Sequence, residues 1–111
     1  MNILVKFKQE YLEQIITGVK TQTMRMPHKR IDVEPGEDII GLFPDGTELI
    51  LNITKTGYKA FKSINDEDAE REGFGSADEL RKELLDIYSK YRIEDFSRFY
   101  YYQFQCMGEK R

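Results

Sequence analysis

Residues 20–25, Lys20-Thr21-Gln22-Thr23-Met24-Arg25, place an amine, two hydroxyls and a guanidinium in six consecutive positions. A hydroxyl beside a group able to take its proton is the minimum for nucleophilic attack on an acyl carbon. Fixed positive charge close by stabilises the oxyanion that such an attack creates. The segment continues through Pro27-His28-Lys29-Arg30, and no acidic residue falls between Lys20 and Arg30. It forms a local cationic spot, suited to phosphate or carbonyl oxygens, in a chain whose net charge is −3.

Taken one at a time, these residues have plainer readings. A lone lysine such as Lys20 is usually solvated, and Thr21 and Thr23 suit an ordinary strand. Arg25, between Met24 and Met26 and close to Pro27, reads as an ion pair with Glu37 or Asp38 at the edge of a core. His28-Lys29-Arg30 reads as a mobile loop, or as a cationic loop able to hold a phosphate. On a regular strand, residues 20 and 23 point to opposite faces. Both reach one pocket only if Lys20 sits in a turn before the strand or if a bulge intervenes.

The surrounding elements decide where these groups go. Ile3, Val5 and Phe7 alternate with Asn2, Leu4 and Lys6, which predicts an opening strand. Tyr11, Leu12, Ile15 and Ile16 recur at helical spacing and predict a core-facing helix over residues 8–17, ended by Gly18 in a left-handed conformation. Residues 21–26 are β-prone until Pro27 stops them. Pro35-Gly36 marks a turn before a strand over 37–43. Asp45-Gly46 is a hairpin signal leading into a strand over 47–58, with Leu49, Leu51 and Ile53 inward and Gly57 as a bulge or strand end. A short helix over 66–72 ends at Gly73. Ser76 and Glu79 form a capping box opening another helix, with Leu80, Leu84, Ile87, Tyr88 and Tyr91 at helical spacing. The aromatic-rich residues 96–107 predict a long last strand. Hairpin signals dominate and no βαβ alternation is visible. The order predicts an α+β fold built on a mostly antiparallel sheet that closes as a small β-barrel with flanking helices.

The 111 residues, 40% of them hydrophobic, suit one domain spanning 1–111 with a real core. No apolar run approaches the roughly 20 residues of a membrane span, and the N-terminus lacks the pattern of a signal peptide. Cys106 is the one cysteine and reads as a free core thiol. A cytoplasmic protein is expected. His28 has no Cys or His companion, so neither a metal site nor a cofactor is expected. The net charge argues against coating long nucleic acid by charge alone, whereas the basic 20–30 and acidic 65–72 segments leave room for a local site.

Gly18-x-Lys20-x-x-Thr23-x-Arg25 following an amphipathic helix resembles the signature of the ASCH superfamily, which has a PUA-like β-barrel. Val33-Glu34-Pro35-Gly36-Glu37 resembles its turn-then-strand segment. Asp68-Ala69-Glu70-Arg71-Glu72-Gly73-Phe74, followed by Leu80 and Tyr88, resembles its helical insert, and the strand around Phe104 its closing strand. The likeness covers nearly the whole chain. Thr23 stands where most of the superfamily carries Glu. In this the chain resembles the small N4-acetylcytidine amidohydrolase group, which reads Gly-x-Lys-Thr-x-Thr-x-Arg. The resemblance implies a catalytic set of Lys20, Thr23 and Glu72, with Glu70 competing for the last place. Glu72-Gly73-Phe74 follows the wording of other branches.

Within that set, Thr23 is the candidate attacking group. Lys20 is either a neutral base or a charged oxyanion donor, and in the second case Glu72 acts as base and then acid. Thr21, Arg25 and Phe74 are expected to contact substrate. Phe43, Tyr58 and Phe74 are candidates to stack on a base, whereas the aromatics of residues 99–104 suit a core. The implied partner is RNA or a modified nucleoside, with hydrolysis of the amide of N4-acetylcytidine the sharpest form of the activity. The alternatives are a non-catalytic RNA-binding module using the basic 20–30 segment and a protein-interaction domain.

Overall fold

The computed structural model describes residues 3–111; Met1 and Asn2, the latter part of the predicted first strand, lie outside the described residues. Five strands form one mixed sheet: β1 Ile3–Lys6, β2 Gln22–Arg25, β3 Asp38–Leu42, β4 Glu48–Ala60 and β5 Arg98–Glu109. Their spatial order is β1-β3-β4-β5-β2. Three α-helices accompany them: α1 Leu12–Ile16, α2 Asp66–Glu72 and α3 Ala77–Ile87. The expected α+β architecture is present. The β1–β3 pairing is parallel and the others are antiparallel, and the sheet curls into a half-barrel.

The long β4–β5 ribbon carries the curl. Its register runs from Leu49 opposite Glu109 to Ala60 opposite Arg98, and it slips between Ile50 and Leu51 and again between Ile53 and Lys55. Each slip inserts one unpaired residue, Met107 on β5 and Thr54 on β4, and such bulges sharpen strand twist. Gly57, expected as a bulge or strand end, is neither. It pairs directly with Tyr101, and a Cβ there would collide with the Tyr101 ring, Cζ lying at 2.6 Å. This glycine is needed for close approach.

Alternation along β5 divides the hydrophobic residues into two cores. Tyr102 and Phe104 face the inside of the half-barrel with Val5, Phe7, Leu49, Leu51 and Ile53. Phe99 faces the opposite way and packs with Met24 of β2, Leu80 and Leu84 of α3, and Tyr88. A strand covered on both faces is apolar on both, which is why residues 96–107 show so weak a polar alternation.

The edges β1 and β2 are separated in the sheet order but bridged by a side chain: Arg25 Nη2 donates to the Lys6 carbonyl at 3.0 Å. Between them the chain makes a 3-10 turn at Gln9–Tyr11 and then α1, burying Tyr11 and Ile15 while Ile16 stays exposed. Gly18 follows in the left-handed region at φ 80°, as expected for a helix stop.

Helix α2 begins with a reciprocal cap between Asn65 and Asp68, a signal overlooked in the sequence, and ends at Gly73 with φ 87°. Ser76 caps α3 by accepting from the Glu79 N–H at 3.2 Å. The return arm of the expected box goes one residue further back, Gly75 N–H donating to Glu79 Oε2 at 2.9 Å. Among the described residues no helix is long and apolar enough to cross a membrane.

Candidate functional site

Lys20 precedes β2, in the turn after Gly18, where its N–H donates to the Gln14 carbonyl at 2.9 Å. That placement removes the facing conflict with Thr23. The Lys20 side chain turns away from solvent and reaches Glu72 at the end of α2, Nζ to Oε1 2.9 Å. Lys20 is 2% and Glu72 3% exposed. Neither is the solvated charge that each suggests when read alone. Two ions this deep lose most of their hydration, and only a well-made contact offsets the loss. The Tyr11 ring adds a face 4.6 Å from the ammonium.

Helix α2 delivers Glu72 because its inward face carries carboxylates. Asp68 and Glu72, one turn apart, point with Ala69 toward the sheet. Asp68 accepts from Gln22 Nε2 at 3.2 Å and pairs with Lys59 at 2.7 Å, and Gln103 Nε2 extends the chain to Gln22 Oε1 at 3.2 Å. This polar network lies behind the Lys20–Glu72 pair, and Gln22, Asp68 and Lys59 escaped the sequence reading. The signal was present in the i, i+4 spacing of Asp68 and Glu72, but an acidic helix normally faces water.

Burial pushes the Glu72 carboxyl above its ordinary range, against the pull of the Lys20 ammonium. Its Oε1 meets Lys20, whereas Oε2 has no hydrogen-bond partner. A buried carboxylate oxygen without a donor is costly, and such atoms concentrate where chemistry needs them.

Glu72 lines a cavity of about 120 Å³ with Lys20, Thr23, Arg25, Phe74 and Tyr11, which Leu84 and Tyr88 close on the far side. Thr23 is buried, and its Oγ1 accepts from Arg25 Nε at 3.3 Å. That leaves its own hydrogen to donate. Burial lowers the Arg25 guanidinium from its usual value, and the ring of Phe7 stacks 5.2 Å from it. Neither Glu37 nor Asp38 pairs with it, and among the described residues no carboxylate does. The cavity wall thus carries Lys20, neutralised by Glu72, and Lys8, paired with Glu83, together with two cations without a counter-charge, Arg25 and Lys6. At the mouth, the Tyr11 hydroxyl donates to Glu83 of α3, and burial together with that carboxylate pushes the Tyr11 phenol upward.

The structure therefore brings together Lys20, Thr23, Arg25, Glu72 and Phe74. Thr21 does not join them. It lies before β2, where its N–H is held by the Arg71 carbonyl at 2.7 Å, and it opens onto a second depression with Gly18, Glu67, Glu70 and Arg71. Glu70 lies on that outer side, so Glu72 alone of the two glutamates reaches the cavity. Of the three candidate stacking rings, Phe43 is buried against Phe7 in the barrel core and Tyr58 lies under Arg98, leaving Phe74 in the cavity wall. The 27–30 segment is anchored, His28 stacking on Tyr91 with centroids 4.3 Å apart and Arg30 on Tyr100 at 5.0 Å. Among the described residues no three His, Cys, Asp or Glu side chains are grouped to hold a metal.

No protein-family model matches the sequence, and a search of curated proteins finds no match. Solved structures do match. An ASCH domain from Lactobacillus crispatus superposes with a TM-score of 0.74 at 15% identity, over 85% of this chain and 68% of that one. The fold is that of the ASCH domains. The Enterococcus faecalis protein EF3133, described by the family model DUF984, is also similar in fold, with a TM-score of 0.77 at 16% identity over 98% of this chain and 77% of the other. A hypothetical protein, PH0355, gives 0.73 at 23% identity over 96% of this chain and 100% of its own length. At such identities the likeness is one of fold, and function has to be argued from the cavity.

Proposed function

We propose that this protein is an ASCH-superfamily amidohydrolase that removes the acyl group from an N4-acylated cytidine, with Lys20, Thr23 and Glu72 as its catalytic residues. One observation carries the reading: a buried lysine–glutamate pair, with one carboxylate oxygen unpartnered, shares a cavity with a buried threonine and an uncompensated arginine. These are the parts that amide hydrolysis requires, namely nucleophile, proton carrier and oxyanion donors.

In the proposed reaction Thr23 Oγ1 forms a bond to the acyl carbon and passes its proton to Glu72. The Lys20 ammonium and Arg25 stabilise the charge that develops on the acyl oxygen. The bond from carbon to N4 then breaks, and N4 takes the proton from Glu72, releasing cytidine. Water hydrolyses the acyl-threonine, giving up a proton to Glu72, which returns it to Thr23 as the carboxylic acid leaves. Burial favours this role for Glu72, because a carboxyl raised from its ordinary value is a better base once ionised. Phe74 offers a ring for the base. Thr21, outside the cavity, has no part in the scheme.

The test is incubation of purified protein with N4-acetylcytidine, following cytidine and acetate by chromatography. Glu72→Gln should lower turnover by about 10²- to 10⁴-fold, the usual worth of a positioned acid–base group, and Thr23→Val, which removes the nucleophile, by at least as much; both are near-isosteric. Wild-type protein that is folded yet inert would remove the enzymatic reading. A non-catalytic RNA-binding module would then take first place, favoured by Lys29 and Arg30, neither of which has a carboxylate partner among the described residues.

A further inference from the structure

Beside the cavity runs a surface groove lined by Lys6, Arg25, His28, Lys29 and Arg30, with Asp32 its one acidic residue. Two of these, Lys6 and Arg25, also line the cavity, so groove and cavity are neighbours that share a wall. Most cations elsewhere on this protein have a carboxylate within reach: Lys8, Lys20, Lys59, Arg71, Arg81, Arg92 and Lys110 all do. Among the described residues, Lys6, Arg25, Lys29 and Arg30 do not, and neither do Lys55, Lys62, Lys82, Lys90, Arg98 and Arg111, but the first four share one groove. Four unpaired cations on one groove, in a chain of net charge −3, raise the local potential where the overall field is unfavourable.

The groove is also held in shape. Arg25 is fixed at its inner end by the Lys6 carbonyl, Thr23 and the Phe7 ring. Arg30 lies over Tyr100 and His28 over Tyr91. A guanidinium pinned on an aromatic ring has lost its freedom before any ligand arrives, which lowers the cost of ordering it.

We propose that this groove is a phosphate subsite of the cavity: the substrate is a nucleotide, its acylated base in the cavity beside Arg25 and its phosphate among Lys6, Lys29 and Arg30. This rests on the cavity being a nucleoside site. The shared chemistry is a phosphate next to the ribose, whether a free nucleoside monophosphate or a phosphodiester in RNA.

Three probes separate the possibilities: N4-acetylcytidine, its 5′-monophosphate, and a ten-nucleotide single-stranded RNA of uridine alone, which contains no cytosine. They are compared on wild type, on Lys29→Ala, and on Lys29→Ala/Arg30→Ala with its fold checked by circular dichroism. The monophosphate should exceed the nucleoside in kcat/KM by about tenfold or more, and this ratio should collapse in the double variant. If RNA is the source, uridine RNA should bind with a log–log salt slope of about −2 to −3, at roughly −0.7 per phosphate contact, reduced by about one in the double variant. Weak, salt-insensitive RNA binding alongside a preserved monophosphate advantage would assign the groove to a free nucleotide. Equal kcat/KM for nucleoside and monophosphate, together with RNA binding that the variants do not change, would overturn the subsite and leave the amidohydrolase standing. No hydrolysis of either substrate, with salt-dependent RNA binding lost in the variants, would keep the groove and remove the amidohydrolase. Neither hydrolysis nor variant-sensitive binding would remove both.

Discussion

Lys20 and Glu72 illustrate how two common residues become an unusual site. Each is ordinary at its position, and together they form a buried contact of 2.9 Å. Removing one partner leaves the other charge stranded, which typically costs about 3–5 kcal/mol, whereas replacing both with apolar residues is often neutral. We therefore expect Glu72→Ala to lower unfolding free energy in urea by about that amount, and Lys20→Met/Glu72→Leu to recover most of it. A double variant as unstable as the single one would show that the pair matters through its shape. Arg25 teaches the converse lesson. Its flanking methionines suggested a core-rim ion pair, yet it bonds to a hydroxyl and a carbonyl and keeps its charge uncompensated.

At the scale of the element, α2 sets two carboxyls one turn apart and shifts them in opposite directions. Burial pushes Asp68 up, but Lys59, the Asn65 N–H and Gln22 outweigh it, and its net shift is downward. As pH falls below its ordinary 3.8, the unfolded chain takes the proton first, so stability present above that value is lost below it. Glu72 is raised, so the folded state holds its proton more tightly. Stability from this group falls as pH rises from 4.5 toward its folded value. Denaturant melts across this range should show Asp68→Asn flattening the acid limb and Glu72→Gln flattening the opposing slope. The β4–β5 ribbon permits a separate test. Gly57→Ala forces a Cβ against Tyr101 and should destabilise by about 1–3 kcal/mol in a thermal melt, as overpacking does. A neutral result would mean that the Tyr101 ring moves freely.

For the whole molecule, the sheet is open between β1 and β2, and Arg25 spans the gap to Lys6. The same side chain lines the cavity and the groove, so the seam of the half-barrel and the proposed site are one place. Edge strands of four residues open more easily than the centre of a long ribbon. Hydrogen exchange should be faster in β1 and β2 than in the middle of β4 and β5. Arg25→Met should raise it further at both edges while leaving the centre unchanged. Uniform change across the sheet would show that Arg25 supports global stability instead.

Local signals were sufficient for most of the fold. Gly18 and Gly73 announced helix ends because a left-handed stop needs glycine, and Asp45-Gly46 marked its hairpin for the same reason. Alternation located β4, and the Ser76 cap located the start of α3. Lys20, Thr23 and Arg25 were legible as a group because they lie within six residues. Long-range packing supplied the rest. Whether Glu70 or Glu72 faces inward depends on how α2 is rotated against β2, and the contacts that fix that angle, Asp68 with Gln22 and Lys59, reach to other elements. Gln22, Asp68 and Lys59 come from three elements, and their network exists only after those elements meet. Thr21 and Thr23 share a chemistry and would share a face on a regular strand, yet Thr21 lies in the turn before β2 and opens away from the cavity that Thr23 lines. Spacing along the chain specifies local conformation, because backbone preferences are local. Burial, and with it the charge state and reach of a side chain, depends on neighbours 46 or 52 positions away.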